Sequence, residues 1–164
     1  MNKADISELF EYNQWAKGRL LASLQSMKSE DFEKNLHSSH GGIKGTLLHM
    51  VNAAGIWTNR LVGKPTVPLK ESDMKTLSDF KAKWDEFDGM LSEILEQATD
   101  ENLDAKFDYQ DSQGNKYTQP RLWALNQLFN HFTYHRGQIV VMQRQMGYTP
   151  VNTDMIAYYR AKGK

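Results

Sequence analysis

The chain has 164 residues, enough for one domain with a sizeable core. Its 20 Lys plus Arg balance 20 Asp plus Glu, which leaves no basic footprint for nucleic acid and no net attraction to an anionic membrane surface. It contains no cysteine, so disulfides, thiolate metal sites, iron–sulfur clusters and a cysteine nucleophile are excluded.

In chain order, "MNKADISELF" lacks the apolar run of a signal peptide, and no stretch approaches the roughly 20 apolar residues of a spanning helix. The expectation is a soluble, cytoplasmic protein. From Ala4 to Met27, residues Ile6, Leu9, Ala16, Leu20, Leu24 and Met27 recur at helical spacing, with the polar Asn13 on the same stripe. "HSSHGG" then reads as a loop. A second helix is predicted over Ile43 to Val62, leaving through "GKPTVP". The third is a bundle seam of Leu77, Phe80, Trp84, Phe87, Leu91, Ile94 and Ala98.

In "KFDYQDSQGNKYTQP", Phe107 and Tyr109 alternate with polar residues, "DSQGN" is turn chemistry and Lys116 to Thr118 can return, so a short β-hairpin is predicted. Pro120 suits the start of a fourth helix. Its seam is Leu125, Leu128, Phe132, His135, Ile139, Met142 and Met146, with Gly147 as the C-terminal cap. A short terminal helix is expected over Thr153 to Ala161. Together these predict one all-α domain over residues 1–164: a four-helix bundle with a short β-hairpin insertion and a short C-terminal helix. The two long connections, before the third and fourth helices, are read as covering one end of the bundle.

The candidate site is histidine-based. His135 takes a seam position among apolar residues, and His131 lies one turn before it on the same face. A buried imidazole with unsatisfied nitrogens costs about 1–3 kcal/mol, and a divalent metal relieves two at once by accepting a lone pair from each. An isolated pair at this spacing arises easily by chance. His49, inside the apolar second helix, changes the balance, because inward residues of two helices can meet and three imidazoles leave a coordination position open. His37 and His40, in the Ser/Gly-rich loop, are read as solvated, with folding of His40 over the site as the minor alternative. The Glu-x-x-His pairs of di-iron bundles, the HExxH of metalloproteases, and the G-x-S-x-G, Walker A and G-x-G-x-x-G patterns are absent.

Three stretches carry a resemblance: "YNQWAKGRLLASL", "GTLLHMVNAAGIWTNRLVGKP" and "LFNHFTYHRGQIVVMQRQMGYTP". Their order and spacing span nearly the whole chain, which resembles the DinB-like (DinB/YfiT-like) metalloenzyme family. The resemblance implies up-down-down-up topology, one divalent metal (zinc or nickel above others) on His49, His131 and His135, and a homodimer. It also implies a small-molecule substrate, in reactions that include transfer or isomerisation with an external low-molecular-weight thiol, and hydrolysis. Many members carry an acidic residue six positions after the first ligand, where this chain has Gly55; no role for that carboxylate transfers.

Two functional classes follow: a metal-dependent enzyme (S-transferase or hydrolase), and a non-catalytic metal- or small-ligand-binding stress protein. Asn13, Trp15, Trp57 and Tyr109 are candidate pocket residues; for Asn13 an amide bonded to backbone is an equal alternative, and single aromatics such as Trp15, Trp57 and Tyr109 are more often plain core in a bundle. Arg136 and Gln138 stand beside His135, as supports for the site or as surface.

Overall fold

The computed structural model describes residues 1–163. Helix α1 (Lys3–Gln25) starts at a reciprocal cap, in which Asn2 Oδ1 accepts the Asp5 N–H and the Asp5 carboxylate accepts the Asn2 N–H. It buries Ile6, Phe10, Asn13, Ala16, Leu20 and Leu24 along one stripe. A single turn, α2 (Ser29–Phe32), leads to the loop before α3 (Ile43–Leu61). A 3₁₀ turn at Glu71–Asp73 precedes α4 (Leu77–Glu96), whose start is capped by Thr76 and Asp79 in the same reciprocal way. After α5 (Asp100–Asp104), strands β1 (Lys106–Gln110) and β2 (Lys116–Pro120) pair antiparallel, with Tyr109 opposite Tyr117. Helix α6 (Arg121–Gln145) follows Pro120 directly and ends before Gly147, at φ 82°. The last helix is α7 (Met155–Ala161).

Contacts set the helix directions. Lys3, at the head of α1, donates its backbone N–H to Asp100 just beyond α4, so these helices are antiparallel. Asn13 and Ser23 of α1 meet Arg136 and Gln143 of α6 in the same order, so these are parallel. Arg121, at the head of α6, donates to the Leu61 carbonyl at the end of α3. The bundle is therefore up-down-down-up, with α1 and α3 each packed between α4 and α6.

That topology explains one long connection differently from the sequence reading. Because α3 and α4 run the same way, the chain from Val62 to Thr76 must return along the bundle. Helix α3, with 19 residues, is about 28 Å long, and the connection is held against it by Asn52, whose side chain accepts the Leu69 N–H at 2.7 Å and donates to the Leu69 carbonyl at 3.1 Å. It is a crossover, not an end cover. The hairpin does cover an end, the one where α3 stops and α6 starts: Arg60 donates to the Gln110 carbonyl, Trp57 packs against Tyr109, and Phe107 is buried. The short helices α2 and α5 escape prediction because one turn carries no periodic signal.

The core is aliphatic and aromatic, with Leu47, Met50, Phe80, Leu91, Leu125, Leu128 and Ile139 fully buried. Helix α7 closes a smaller cluster of Tyr12, Ala16 and Tyr158 on α1. Among the described residues, no helix is long and apolar enough to cross a membrane.

Candidate metal centre

The antiparallel contact of α3 with α6 brings the predicted histidines together. His49 and His131 face each other with their Nε2 atoms 2.8 Å apart. The His49 and His131 ring centroids are 4.9 Å apart, His49 and His135 4.6 Å, and His131 and His135 4.3 Å. His135 is buried, and its Nδ1 lies 2.7 Å from Gln138 Oε1. That oxygen accepts, so Nδ1 carries the proton and Nε2 keeps its lone pair for the cluster. Gln138, one turn along the same helix, thus orients His135 as the partners of metal-binding imidazoles commonly do.

His40 is not solvated. It is half-buried and its ring stacks on His49, with centroids 4.0 Å apart and planes 16° apart; the His135 ring is 5.3 Å away. Ligand nitrogens of His40, His49 and His135 all lie within 4.8 Å of one another, a group that could hold a metal ion, and His131 joins it through His49. The loop closes this far because Gly45, in the first turn of α3, has no Cβ: one there would overlap the His40 carbonyl oxygen. The sequence signal for this was present in "HGGIKG", where glycine at 45 permits backbone to sit on the helix, but glycine spacing by itself does not say what approaches. His37 is exposed as read, its N–H donating to Asn35 Oδ1 at 2.8 Å.

Burial pushes the His49 imidazolium down to about 4, helped by the charges of His40, His135 and His131. Burial does the same to His131, also to about 4, with His135 and His40 adding to it. His40 is lowered by burial and then by His135. These imidazoles are neutral at pH 7, with lone pairs available to a cation.

The candidate pocket residues fall into two other places. Trp57 and Tyr109 pack under the hairpin, their centroids 5.3 Å apart, with the Arg60 guanidinium over both rings. Asn13 is buried against α6, donating to the Leu9 carbonyl and accepting from Arg136, and Trp15 packs on Tyr12, Tyr158 and Arg19. A cavity of about 570 Å³ lies on the far side of Gln138, the partner of His135, and is lined by Ser38, Ser39, Tyr134, Gln138, Val141 and Met142, with none of the histidines in its wall. Tyr134 reaches it edge-on to His135. At Gly55, the Phe87 ring occupies the space a side chain would take, with its Cζ 2.6 Å from where a Cβ would stand. The missing acid is thus replaced by core packing from α4.

A sequence model of the DinB family matches residues 1–163. The chain is 24% identical over 151 residues to the Bacillus subtilis (strain 168) protein YizA, covering 92% of this chain and 94% of that one. It is 27% identical over 159 residues to Protein DinB of the same organism, covering 92% and 91%. A crystal structure of a DinB-like protein from Bacillus cereus ATCC 10987 shares the fold, with a TM-score of 0.60 at 19% identity over 88% of this chain and 94% of the other. The up-down-down-up bundle therefore agrees with a sequence match that runs through every described residue, and the chain belongs to the DinB family.

Proposed function

We propose that this protein is a divalent-metal-dependent enzyme in which His49, His131 and His135 hold one ion, zinc or nickel, and that its reaction transfers an external low-molecular-weight thiol to a small electrophile. The convergence of imidazoles from α3 and α6, with two Nε2 atoms 2.8 Å apart, carries the reading. Two such nitrogens either share one proton or offer both lone pairs to a single cation. The residues fit an ion: burial keeps His49 and His131 neutral, and Gln138 holds the His135 proton on Nδ1. A divalent ion bound there supplies a positive centre that lowers the pKa of an adjacent thiol or water.

The sulfur must come from outside, because the chain has no cysteine. Thiol transfer is preferred over hydrolysis because hydrolysis also needs proton delivery to the leaving group. The charges acting on His40, His49 and His131 are those of other histidines, with no carboxylate among them. One observation favours metal-dependent hydrolysis as the second reading: His40 sits over His49 as a neutral imidazole able to carry that proton.

The test is elemental analysis of tag-free protein purified without added metal, followed by turnover of an electrophile panel with several small thiols, beside an ester and amide panel without thiol. Thiol-dependent turnover supports the proposal, and metal-dependent cleavage without thiol selects the hydrolase. Bound metal with silence in both panels leaves a non-catalytic metal- or ligand-binding protein. We also propose that the protein is a homodimer; sedimentation at micromolar concentration that finds only monomer would reject this.

A further inference from the structure

Arg136 follows His135 in the chain but serves the other face of α6, against α1. It is 2% exposed. Its guanidinium donates to Asn13 Oδ1 at 2.6 Å, Thr133 Oγ1 at 2.7 Å and the Tyr12 hydroxyl at 3.0 Å, and lies 5.1 Å from the Tyr12 ring centroid. Every one of these partners is neutral. The network is built around the cation: Asn13 donates an amide hydrogen to the Leu9 carbonyl and Tyr12 its hydroxyl hydrogen to the Thr153 carbonyl, and both turn oxygen lone pairs to Arg136.

Two features show that the charge is incompletely met. The buried Arg136 Nε–H has no acceptor among the described residues. No carboxylate reaches it either: among the described residues it forms no ion pair, and its three hydrogen-bond partners are Asn13, Tyr12 and Thr133. A buried cation without an anion is among the costliest arrangements a fold keeps. Beside it lies a cavity of about 450 Å³, lined by Tyr12, Thr133, Arg136, Arg144 and the segment 150–154. Arg144 stands two turns further along the same face of α6 and is exposed at the rim, so two guanidiniums flank one cavity. The exposed Asp154 also lines it and makes no ion pair with either arginine.

We propose that this cavity binds a small molecule through an anionic oxygen group, a carboxylate or a phosphate, with Arg136 supplying the buried charge and Arg144 the rim contact. Arginine suits both anions because its planar donors match their paired oxygens.

The test uses the full chain freed of metal by chelation, titrated separately with inorganic phosphate and sodium acetate at constant ionic strength, with chloride as the control. The expected result is a saturable shift of the Arg136 Nε–H signal in ¹H–¹⁵N spectra and a rise in Tm with at least one anion, and the responding anion identifies the group. Arg144→Ala, a rim change that leaves the core untouched, should bind about tenfold more weakly, the loss expected for one charge-assisted contact. His131→Ala should bind the anion unchanged, although it removes a proposed metal ligand, so this site and the metal site stand or fall separately. Absence of a saturable Nε–H shift with both anions, or unaltered binding by Arg144→Ala, overturns the proposal.

Discussion

At the scale of single residues, the stacked His40–His49 pair places a loop imidazole against a helix imidazole at 4.0 Å. Removing His40 takes away a ring that covers His49, whereas removing the exposed His37 takes nothing from the cluster. His40→Ala should weaken divalent-metal binding about 10- to 100-fold, the range seen when a partner of a metal-binding group is lost, and His37→Ala should leave it unchanged. Competition with a chromophoric chelator measures both, and equal affinities in the two variants would count against a role for His40. The same burial sets a pH dependence in the metal-free protein. The folded values of His40, His49 and His131 lie below the ordinary imidazole value, so the unfolded chain takes up protons first as pH falls. Their contribution is complete above about 6.5 and is lost as pH falls toward about 4, the folded value of His49 and His131. Asp88, raised by burial, acts in the opposite sense. Tm of the chelated protein should therefore rise from pH 4 to 6.5 and then level; a flat profile would contradict it.

At the scale of elements, the first turn of α3 and the loop before it form one unit. The Leu36 N–H donates to the Gly41 carbonyl at 2.6 Å, the Gly42 N–H to the His40 carbonyl at 3.0 Å, and His40 then rests on Gly45. Backbone sets the obstacle at Gly45, so an added methyl cannot be absorbed by a side-chain rotation. Gly45→Ala should cost about 1–3 kcal/mol, the usual range for overpacking, and should lift His40 from the histidines. Denaturant unfolding reads the first effect and weakened metal binding the second. A fully stable variant with unchanged metal affinity would show that the loop can move aside freely.

At the scale of the whole molecule, Lys17 ties α1 to α4 from a position largely shielded from water. Its Nζ lies 2.5 Å from Asp88 and 2.6 Å from Asp85, and only 11% of its side chain is exposed, against 9% for Asp88. Breaking such a pair from one side strands a buried charge, at a cost of about 3–5 kcal/mol. Lys17→Met should approach that loss in denaturant unfolding. The double variant Lys17→Met/Asp88→Leu should recover much of it, because replacing a buried pair by apolar packing is often neutral. If the single variant loses less than about 0.5 kcal/mol, as surface pairs do, water reaches the pair and it is a surface contact.

The sequence by itself determined the four long helices, the hairpin and the meeting of His49, His131 and His135. Apolar spacing such as Leu77–Phe80–Trp84–Phe87–Leu91 and turn chemistry such as "DSQGN" are local signals, read within a few residues. The family pattern then supplied the topology, which the contacts between helices bear out. Only the tertiary structure decided what depends on residues far apart in the chain. His40 looked solvated because its own neighbours are Ser and Gly, yet its surroundings come from α3 and α6. Arg136 looked like a support for the site or surface because a guanidinium's burial depends on α1, more than a hundred residues earlier. At Gly55 the sequence shows only that the family's acid is missing, whereas Phe87 of α4 fills the space a side chain would take. In each case the deciding partner belongs to another element, and no local pattern records which side chain packing will bring against it.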